Sequence, residues 1–423
     1  MRSTHNRLAS QVWLLAGALT LGGAAAAAAQ DATAPPGEAP AAANAKTQPA
    51  GPSFEVYGFA MLDIGHDFKQ INPNWSDTMR VTRLPSSPKE FGENNNTFAG
   101  VRQSRLGVRA TVPTDIGDLK TTFEFELFGT GVDEGQTTFR LRHAYGELGA
   151  FGAGQTWSPF MDPDVFPNSL EYWGPTGMVF FRNVHARWMP VTGAHGVTLA
   201  VERPGASGDQ GVYADRVELE GIRGRFPLPD FSGSYKYTQG WGYLRAAGML
   251  RQIKWDDVND DGLDLSGDDT GWGLNLSANW KPTGSDVLRV QYVFGEGIQN
   301  YMNDSPVDIG IVDNLSDPTR PVIGQAIGIT GLVLFLDHSW NGQLSSSIGY
   351  SRQDNDNTDG QSPGAFRDGQ YALGNLLYTP VPNVMFGGEL QWGRRQNVDG
   401  FSSDGFKVQF SFKYNFSSTD FFK

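Results

Sequence analysis

The stretch FKVQFSFKYNF, residues 406–416, places an aromatic or aliphatic side chain at every even position. Side chains of a β-strand alternate between two faces, so one face of this strand is apolar and the other carries lysine, glutamine, serine and asparagine. Eleven residues at about 3.3 Å each, tilted near 45°, cover about 25 Å. That height matches the lipid-facing band of an outer-membrane barrel and exceeds the usual strand of a soluble sandwich. The stretch therefore predicts a strand of a transmembrane β-barrel.

The composition agrees with an envelope protein built from such strands. The chain has 423 residues, among them 53 glycines, 27 phenylalanines and 13 tyrosines, and it has no cysteine. The absence of cysteine excludes a disulfide framework, thiol catalysis and a cysteine-ligated metal.

The amino-terminal part divides into a leader and a tether. Residues 1–29 carry Arg2 and Arg7 before an apolar run from Val12 to Ala29, which predicts a secretory signal peptide. A membrane-anchoring helix is the weaker alternative, because the run is rich in alanine and glycine. Residues 30–52 form a tether rich in proline and alanine that we expect to be disordered. We predict that residues 53–423 form one outer-membrane barrel domain.

Segments of alternating polarity recur along the rest of the chain, as a barrel requires. Short turns such as PTDIGD and PVPN alternate with long connections, which predicts periplasmic turns and external loops. We predict an all-β fold, a porin-like transmembrane barrel of sixteen antiparallel strands. The strands are expected at about residues 54–64, 101–112, 119–129, 138–148, 150–157, 184–191, 196–202, 231–238, 242–255, 271–281, 287–297, 326–338, 343–353, 370–379, 384–395 and 405–416.

Charge decides which face of each strand lines the lumen. A lysine or arginine that faces mid-bilayer lipid costs about 2 to 4 kcal/mol, so the basic side chains should point inward. A basic lining concentrates anions and repels cations, whereas the net charge of −13 reflects acidic loops. Alternatively, these cations only neutralise the inward carboxylates Glu124, Glu126 and Glu389. The predicted basic wall consists of Arg105, Arg109, Lys120, Arg140, Arg142, Arg245, Arg251 and Arg289.

The third long connection is predicted to fold into the barrel. The segment GQTWSPFMDPDVFPNSLEYWGPTGMVFFRN, residues 154–183, is too long, aromatic and proline-rich for an exposed loop. A barrel of sixteen strands is wide enough for an aqueous channel, which this loop would narrow. Arg182 and Arg187 are then expected beside the constriction. An external lid or a subunit contact is the alternative.

Several stretches together resemble the DcaP-like family of trimeric outer-membrane porins. They are the third-loop motif, the opening strand FEVYGFAMLDI, the segment VRQSRLGVRATVPTDIGDLKTTFEFELFG, the stretch RLRHAYGELGAFGAGQTWSPF and the later GWGYLRAAGMLR. The resemblance covers residues 54–416. It implies a homotrimer with one pore per subunit and uptake of small negatively charged organic acids, notably dicarboxylates.

Further partners follow from the predicted barrel. We expect contact with outer-membrane lipid and lipopolysaccharide, and recognition by the barrel-assembly machinery through Phe416, Phe422 or both. The strand GITGLVLFLDHSW, residues 328–340, is apolar on both faces and is assigned to the trimer contact. We expect no nucleic-acid partner.

The loop DDVNDDGLDLSGDD, residues 256–269, contains seven aspartates and no basic residue. Its spacing resembles that of a calcium loop, with aspartate in place of glutamate at the last position. Strands rather than helices border it, so a solvated acidic loop is the alternative. The candidate calcium ligands are Asp257, Asn259, Asp261, Leu263 (through its carbonyl) and Asp268.

The predicted function is passive, anion-biased uptake of small organic acids through an arginine-lined pore. Apart from the candidate calcium ion, we expect no cofactor. We do not expect an enzyme, because the histidines are scattered and no G-x-S-x-G motif is present. His143 is assigned to the lipid side. The alternative is a sugar-specific or general diffusion porin, in which Trp157, Tyr172 and Trp173 would stack sugar rings while Asp162 or Glu171 bound hydroxyls. A purely adhesive role would leave the basic lumen unexplained.

Overall fold

The computed structural model describes residues 51–259 and 261–420. The predicted signal peptide and nearly all of the predicted tether lie outside the described residues. The strands of the described part are β1 (Ser53–Asp67), β2 (Asn96–Gly100), β3 (Arg105–Thr114), β4 (Gly117–Phe128), β5 (Thr137–Leu148), β6 (Phe151–Trp157), β7 (Arg182–Val191), β8 (His195–Glu202), β9 (Ile222–Arg225), β10 (Asp230–Gln239), β11 (Gly242–Asp257), β12 (Gly267–Trp280), β13 (Asp286–Glu296), β14 (Ile309–Asp313), β15 (Val322–Ala326), β16 (Gly328–Ser339), β17 (Leu344–Asp356), β18 (Phe366–Val381), β19 (Val384–Asn397) and β20 (Ser402–Ser417).

Helical structure in the described residues consists of short 3₁₀ turns. They span Pro73–Trp75, Val81–Arg83, Gly131–Asp133, Pro163–Val165, Gly211–Tyr213, Val217–Leu219, Gln299–Tyr301 and Ser418–Asp420. Within residues 51–259 and 261–420, no helix has the length and apolar composition needed to cross a membrane.

The sheet closes on itself through its first and last strands. β1 pairs antiparallel with β3 on one side and with β20 on the other, where Tyr57 opposes Ser417 and Asp67 opposes Lys407. Closure gives every wall strand two neighbours, so no row of unpaired N–H and C=O groups faces hydrocarbon. The predicted all-β barrel is confirmed.

The barrel wall has sixteen strand positions in the described part of the chain, as predicted. β2 and β3 together occupy one of these positions, since both pair with β1 and are separated only by residues 101–104. β9 lies within the predicted loop 203–230 and extends the sheet beside the top of β11, while β14 and β15 form a separate hairpin. Short turns and long loops alternate in the predicted order.

The two faces of β20 differ as the opening stretch predicts. Phe410 and Tyr414 are about half exposed on the outside, at 54% and 50%, whereas Lys407 and Gln409 are fully buried on the inside. Lys407 donates hydrogen bonds to the carbonyls of Ser76 and Thr78, which belong to an inward-folded loop. The lumen is therefore occupied by protein at this height.

In the part of the chain that the structure describes, three loops enter the barrel: the first, L1 (residues 68–95), the third, L3 (residues 158–181), and the sixth, L6 (residues 297–327). Their apolar side chains form a core with the inner faces of β11, β13, β16 and β18. L3 runs directly against the wall, where a Cβ atom at Gly177 would overlap the carbonyl oxygen of Arg352. The inward course predicted for L3 is confirmed, whereas the entry of L1 and L6 was not predicted.

This internal core corrects the explanation given above for the apolar strand 328–340. Its inward side chains Ile329, Val333 and Phe335 are buried in the core that L3 completes. Packing within the chain therefore accounts for the apolar inner face of β16, and a trimer contact is not needed to explain it.

A β-bulge in β5 corrects the assignment of His143. Arg140 opposes Glu126 and His143 opposes Glu124, so the extra residue Arg142 shifts the alternation by one position. His143 is consequently buried inside the barrel, and its Nδ1 lies 2.9 Å from Thr156 Oγ1. The prediction that His143 faces lipid is wrong, because a strict two-residue period does not anticipate a bulge.

Replacing Phe410 by arginine should lower the free energy of unfolding by about 2 to 4 kcal/mol, because the charge would face the middle of the bilayer. Asn415→Arg, on the inner face of the same strand, is the matched control and should cost much less. Unfolding by guanidinium chloride in phospholipid vesicles measures both. Equal effects of the two substitutions would contradict the assigned faces of β20.

Candidate functional site

L3 is held against the wall by hydrogen bonds to wall side chains. The Glu389 carboxylate on β19 accepts from the backbone N–H groups of Leu170 and Glu171 at 2.7 and 3.0 Å. Asn375 on β18 donates to the Asn168 carbonyl at 2.7 Å, and Gln409 donates to the Leu170 carbonyl at 3.2 Å. Because its backbone is anchored from three strands, this part of L3 has a defined position in the lumen.

Glu171 joins L3 to L1 from the other side of the loop. Its carboxylate accepts hydrogen bonds from the backbone N–H groups of Met79 at 3.0 Å and Trp173 at 2.9 Å, and also from Gly174. Burial raises the pKa of the Glu171 carboxyl, and these N–H donors act in the opposite direction. Glu171 therefore has a structural role in this arrangement.

The core beneath L3 occupies the side of the lumen formed by β11, β13, β16 and β18, so the candidate solute path is on the other side. Charged side chains with partial exposure remain on β3, β5 and β7. The exposed fractions are 16% for Arg105, 23% for Arg140 and 20% for Arg187. The candidate channel is therefore off-centre and is bounded by L3 and by this basic part of the wall.

Two buried glutamates on β4 organise the basic side chains beside L3. Glu124 and Glu126 are almost fully buried and form ion pairs with four arginines. The nitrogen–oxygen distances are 2.6 and 2.7 Å for Arg142, 2.6 Å for Arg140, 3.4 and 3.6 Å for Arg105, and 3.7 Å for Arg182. Four guanidinium groups against two carboxylates leave this guanidinium cluster with a net charge of about +2.

Aromatic rings fix the orientation of the guanidinium cluster. Arg182 lies over the Trp157 ring at 4.8 Å, and the Tyr172 ring stacks on Phe128 with centroids 3.8 Å apart. The Tyr172 hydroxyl donates to Glu126 and accepts from Arg140 at 2.7 Å. Tyr172 thus ties L3 to the cluster, and the guanidinium planes are held rather than free to rotate.

Further basic side chains line the same wall nearer the periplasmic turns. Arg187 pairs with Glu147 and lies 4.6 Å from the centre of the Tyr145 ring, while Arg109 pairs with Glu55 at 3.1 Å. Lys120 is exposed on the inner face of β4. Arg245, on β11, donates to the carbonyl of Pro159 in L3. Arg109, Lys120 and Arg187 are therefore inside the barrel near the candidate path, whereas Arg245 is inside the barrel on the side of the core.

Arg251 and Arg289 point inward as predicted, but the geometry does not leave them available to a solute. Arg251 is buried between Asp230, at 3.2 Å, and Asp308, at 3.1 Å. Arg289 pairs with Asp337 at 2.6 Å and donates to a carbonyl of L3. Both arginines are buried and paired with carboxylates, so they stabilise the wall. Their assignment to the pore lining is corrected accordingly.

A clamp between loops was missed by sequence reasoning. The Arg80 guanidinium packs on the rings of both Trp75 and Trp173, at 4.2 and 3.9 Å from their centroids, and pairs with Asp304 of L6 at 2.9 Å. Asp304 also accepts hydrogen bonds from the backbone and hydroxyl of Thr82. This interloop clamp joins L1, L3 and L6. No motif marks it in the sequence, since Trp173 and Asp304 lie 93 and 224 positions from Arg80.

The acidic loop after β11 shows no assembled cation site in the described residues, which omit position 260. Within residues 51–259 and 261–420, no group of three or more acidic or histidine side chains converges as metal ligands would. The two Asp257 carboxylate oxygens accept from the backbone N–H groups of Asn259 and Leu265, each at 3.0 Å. Asp268 pairs with Lys254 at 3.7 Å. Calcium binding here remains a prediction from the sequence.

Asp304→Asn should loosen the interloop clamp, because an amide presents N–H groups to Arg80 and Thr82 where the carboxylate accepts from them. Single-channel recordings in planar bilayers should then show more current noise and more time in partly blocked levels. Asp354→Asn is the control, since its pair with Arg352 is exposed. Recordings as quiet as those of the unsubstituted protein would contradict a positioning role of the clamp.

Comparisons with known proteins agree with this architecture. The family model described as DcaP outer membrane protein matches residues 51–416. The outer membrane channel DcaP of Acinetobacter baumannii is similar in structure, with a TM-score of 0.73 and 20% identity over 87% of this chain and 99% of that one. No curated protein sequence gives a significant match.

More distant solved structures share the barrel. The anion-selective porin from Comamonas acidovorans has a TM-score of 0.54 and 14% identity, covering 86% of this chain and all of that one. The trimer form of OmpT from Vibrio cholerae has a TM-score of 0.51 and 14% identity, covering 87% of this chain and all of that one. At such identities these likenesses concern the fold.

Proposed function

Because the chain belongs to the DcaP outer membrane protein family and is a channel of the bacterial outer membrane, we propose that it passes small organic acids passively with a preference for anions. The observation that carries this proposal is the guanidinium cluster, in which four arginines surround two buried glutamates beside L3. Excess positive charge in a narrow, low-dielectric passage raises the local concentration of anions and repels cations.

We extend the proposal to dicarboxylates, which the resemblance of the sequence implies. Arg105 and Arg109 are four residues apart on β3, or roughly 13 Å along the strand. Lys120 on the neighbouring strand β4 and Arg187 on β7 add further positive charge. A solute with two anionic ends can exchange contacts between successive cations as it moves, so that neither end is left without a counter-charge.

Sugar specificity is the weaker candidate, because the aromatic residues that it requires are already engaged. Trp173 packs on Arg80, Tyr172 stacks on Phe128, and Trp157 packs against Arg182. Asp162 accepts hydrogen bonds from Tyr243 and Ser277 and is buried. A general diffusion porin is the remaining alternative. It differs from the proposal in showing no preference between anions and neutral solutes of equal size.

We also propose that three copies assemble into a homotrimer with one channel per subunit. The fold is shared with the trimer form of Vibrio cholerae OmpT, and the resemblance of the sequence implies the same state. Lipopolysaccharide and the barrel-assembly machinery are the further partners that a protein of this fold and location would meet.

Replacing Arg105 and Arg140 together by glutamine should lower the anion-to-cation permeability ratio several-fold, because it removes half of the guanidinium cluster. Reversal potentials in a KCl gradient measure the ratio. Arg289→Gln is the matched control, since Arg289 is held in a buried ion pair, and it should change the ratio little. A preference for cations in the unsubstituted protein would defeat the proposal.

Swelling of proteoliposomes should be faster with succinate or phthalate than with neutral sugars of equal size, because the cluster attracts the carboxylates into the constriction. The difference should shrink as the salt concentration rises, since salt screens the attraction. Equal rates for charged and neutral solutes at low salt would favour the general diffusion porin instead.

A further inference from the structure

The outer face of the barrel carries a groove over β5, β6, β7 and β8 with a volume of about 870 Å³. We propose that this face is the contact surface between copies of the chain in the trimer, with a neighbouring copy seated in the groove. The inference rests on the trimeric state proposed above, and not on the anion preference.

Wall height is the first observation that favours a protein neighbour over lipid. β6 has seven residues and β8 has eight, which at about 3.3 Å per residue and a tilt near 45° cover roughly 16 to 19 Å. The hydrocarbon core of a bilayer is about 25 to 30 Å thick. β11, β18 and β20 have sixteen residues each and span it easily. At β6 and β8, hydrocarbon would therefore meet the polar ends of the wall unless another surface covered them.

The shape of the groove is the second, independent observation. Its floor consists of Gly146, Ala153 and Ala186, which are direct register neighbours on three adjacent strands. Phe151 and Trp188 stand below them, 64% and 45% exposed, with their rings 6.5 Å apart and nearly parallel. Large side chains thus border a floor of glycine and alanine residues. This concave surface is suited to a convex protein edge.

The exposed apolar area of the groove is large enough for the centre of a stable protein–protein interface. Phe151, Trp188 and Phe231 have side chains of about 150 to 250 Å² each and are roughly half exposed, so they offer about 300 Å². Leu119, Leu199 and Val201, also outward and partly exposed, add on the order of 200 Å². A standard interface buries about 800 Å² per partner including its polar rim. The patch therefore suffices for the apolar centre of such an interface.

The groove and the outer face of β16 are the two candidate contact faces. β16, to which the sequence assigned the contact, has twelve residues and reaches roughly 28 Å, so lipid can cover its outer face. In a ring of three copies each interface joins two different patches. The groove of one copy would accordingly receive an adjacent part of the wall of the next.

The test compares Ala186→Trp with Ala372→Trp, which makes the same change on the outer face of the tall strand β18. Light scattering of the proteins extracted in mild detergent gives their mass. We expect Ala186→Trp to fill the groove and convert trimer to monomer, while Ala372→Trp stays trimeric. Heat-dependent migration in gels confirms that each barrel is folded. A folded Ala186→Trp trimer identical to the unsubstituted protein would overturn the proposal.

A second measurement holds even if Ala186→Trp fails to fold. Trp188 is replaced by photoreactive benzoylphenylalanine, with Tyr378, exposed on β18, as the matched site. Illumination in membranes should give covalent dimers and trimers from position 188 and none from position 378. The reverse pattern would overturn the proposed face. An unsubstituted protein that is monomeric would instead defeat the trimer, leaving the proposed anion preference to its own test.

Discussion

Pairing of β1 with β20 is the interaction on which the rest of the structure depends. Hydrocarbon offers no hydrogen-bond partners, so a sheet with free edges would expose backbone groups at several kcal/mol each. The eleven residue pairs from Tyr57–Ser417 to Asp67–Lys407 remove those edges. Once the sheet is closed, alternate side chains must face either lipid or the lumen, and every inward charge has to find a partner or water.

Inward charges are satisfied differently on the two sides of the lumen. On the side of β11 to β18, L1, L3 and L6 bury apolar side chains against the wall, and isolated charges such as Arg251 and Arg289 are paired with carboxylates. On the side of β3 to β7, cations outnumber carboxylates and keep partial contact with solvent. The internal core thus does more than narrow the pore. In the proposed function, solutes pass along the part of the wall where positive charge is in excess, and Glu124 and Glu126 hold that charge in place.

The sequence was sufficient for the parts of this arrangement that depend on local periodicity. The alternation in β20, the order of turns and loops and the aromatic, proline-rich L3 all predicted what the structure shows. Prediction was wrong or incomplete where one extra residue or a distant partner decides the outcome. The bulge at Arg142 turns His143 inward, and Asp308 reaches Arg251 across 57 positions. L1 is joined to L3 and L6 by Arg80, which packs on two tryptophans and pairs with Asp304, and no local pattern predicts these contacts.

In the proposed function, mobile anions meet the guanidinium groups beside L3. Anomalous diffraction from crystals soaked in bromide tests it directly, since bromide marks the sites where the channel holds an anion. We expect peaks within hydrogen-bonding distance of Arg105, Arg140 or Arg182, on the side of L3 away from the apolar core. Bromide sites that avoid these three arginines, while lying elsewhere along the lumen, would contradict it.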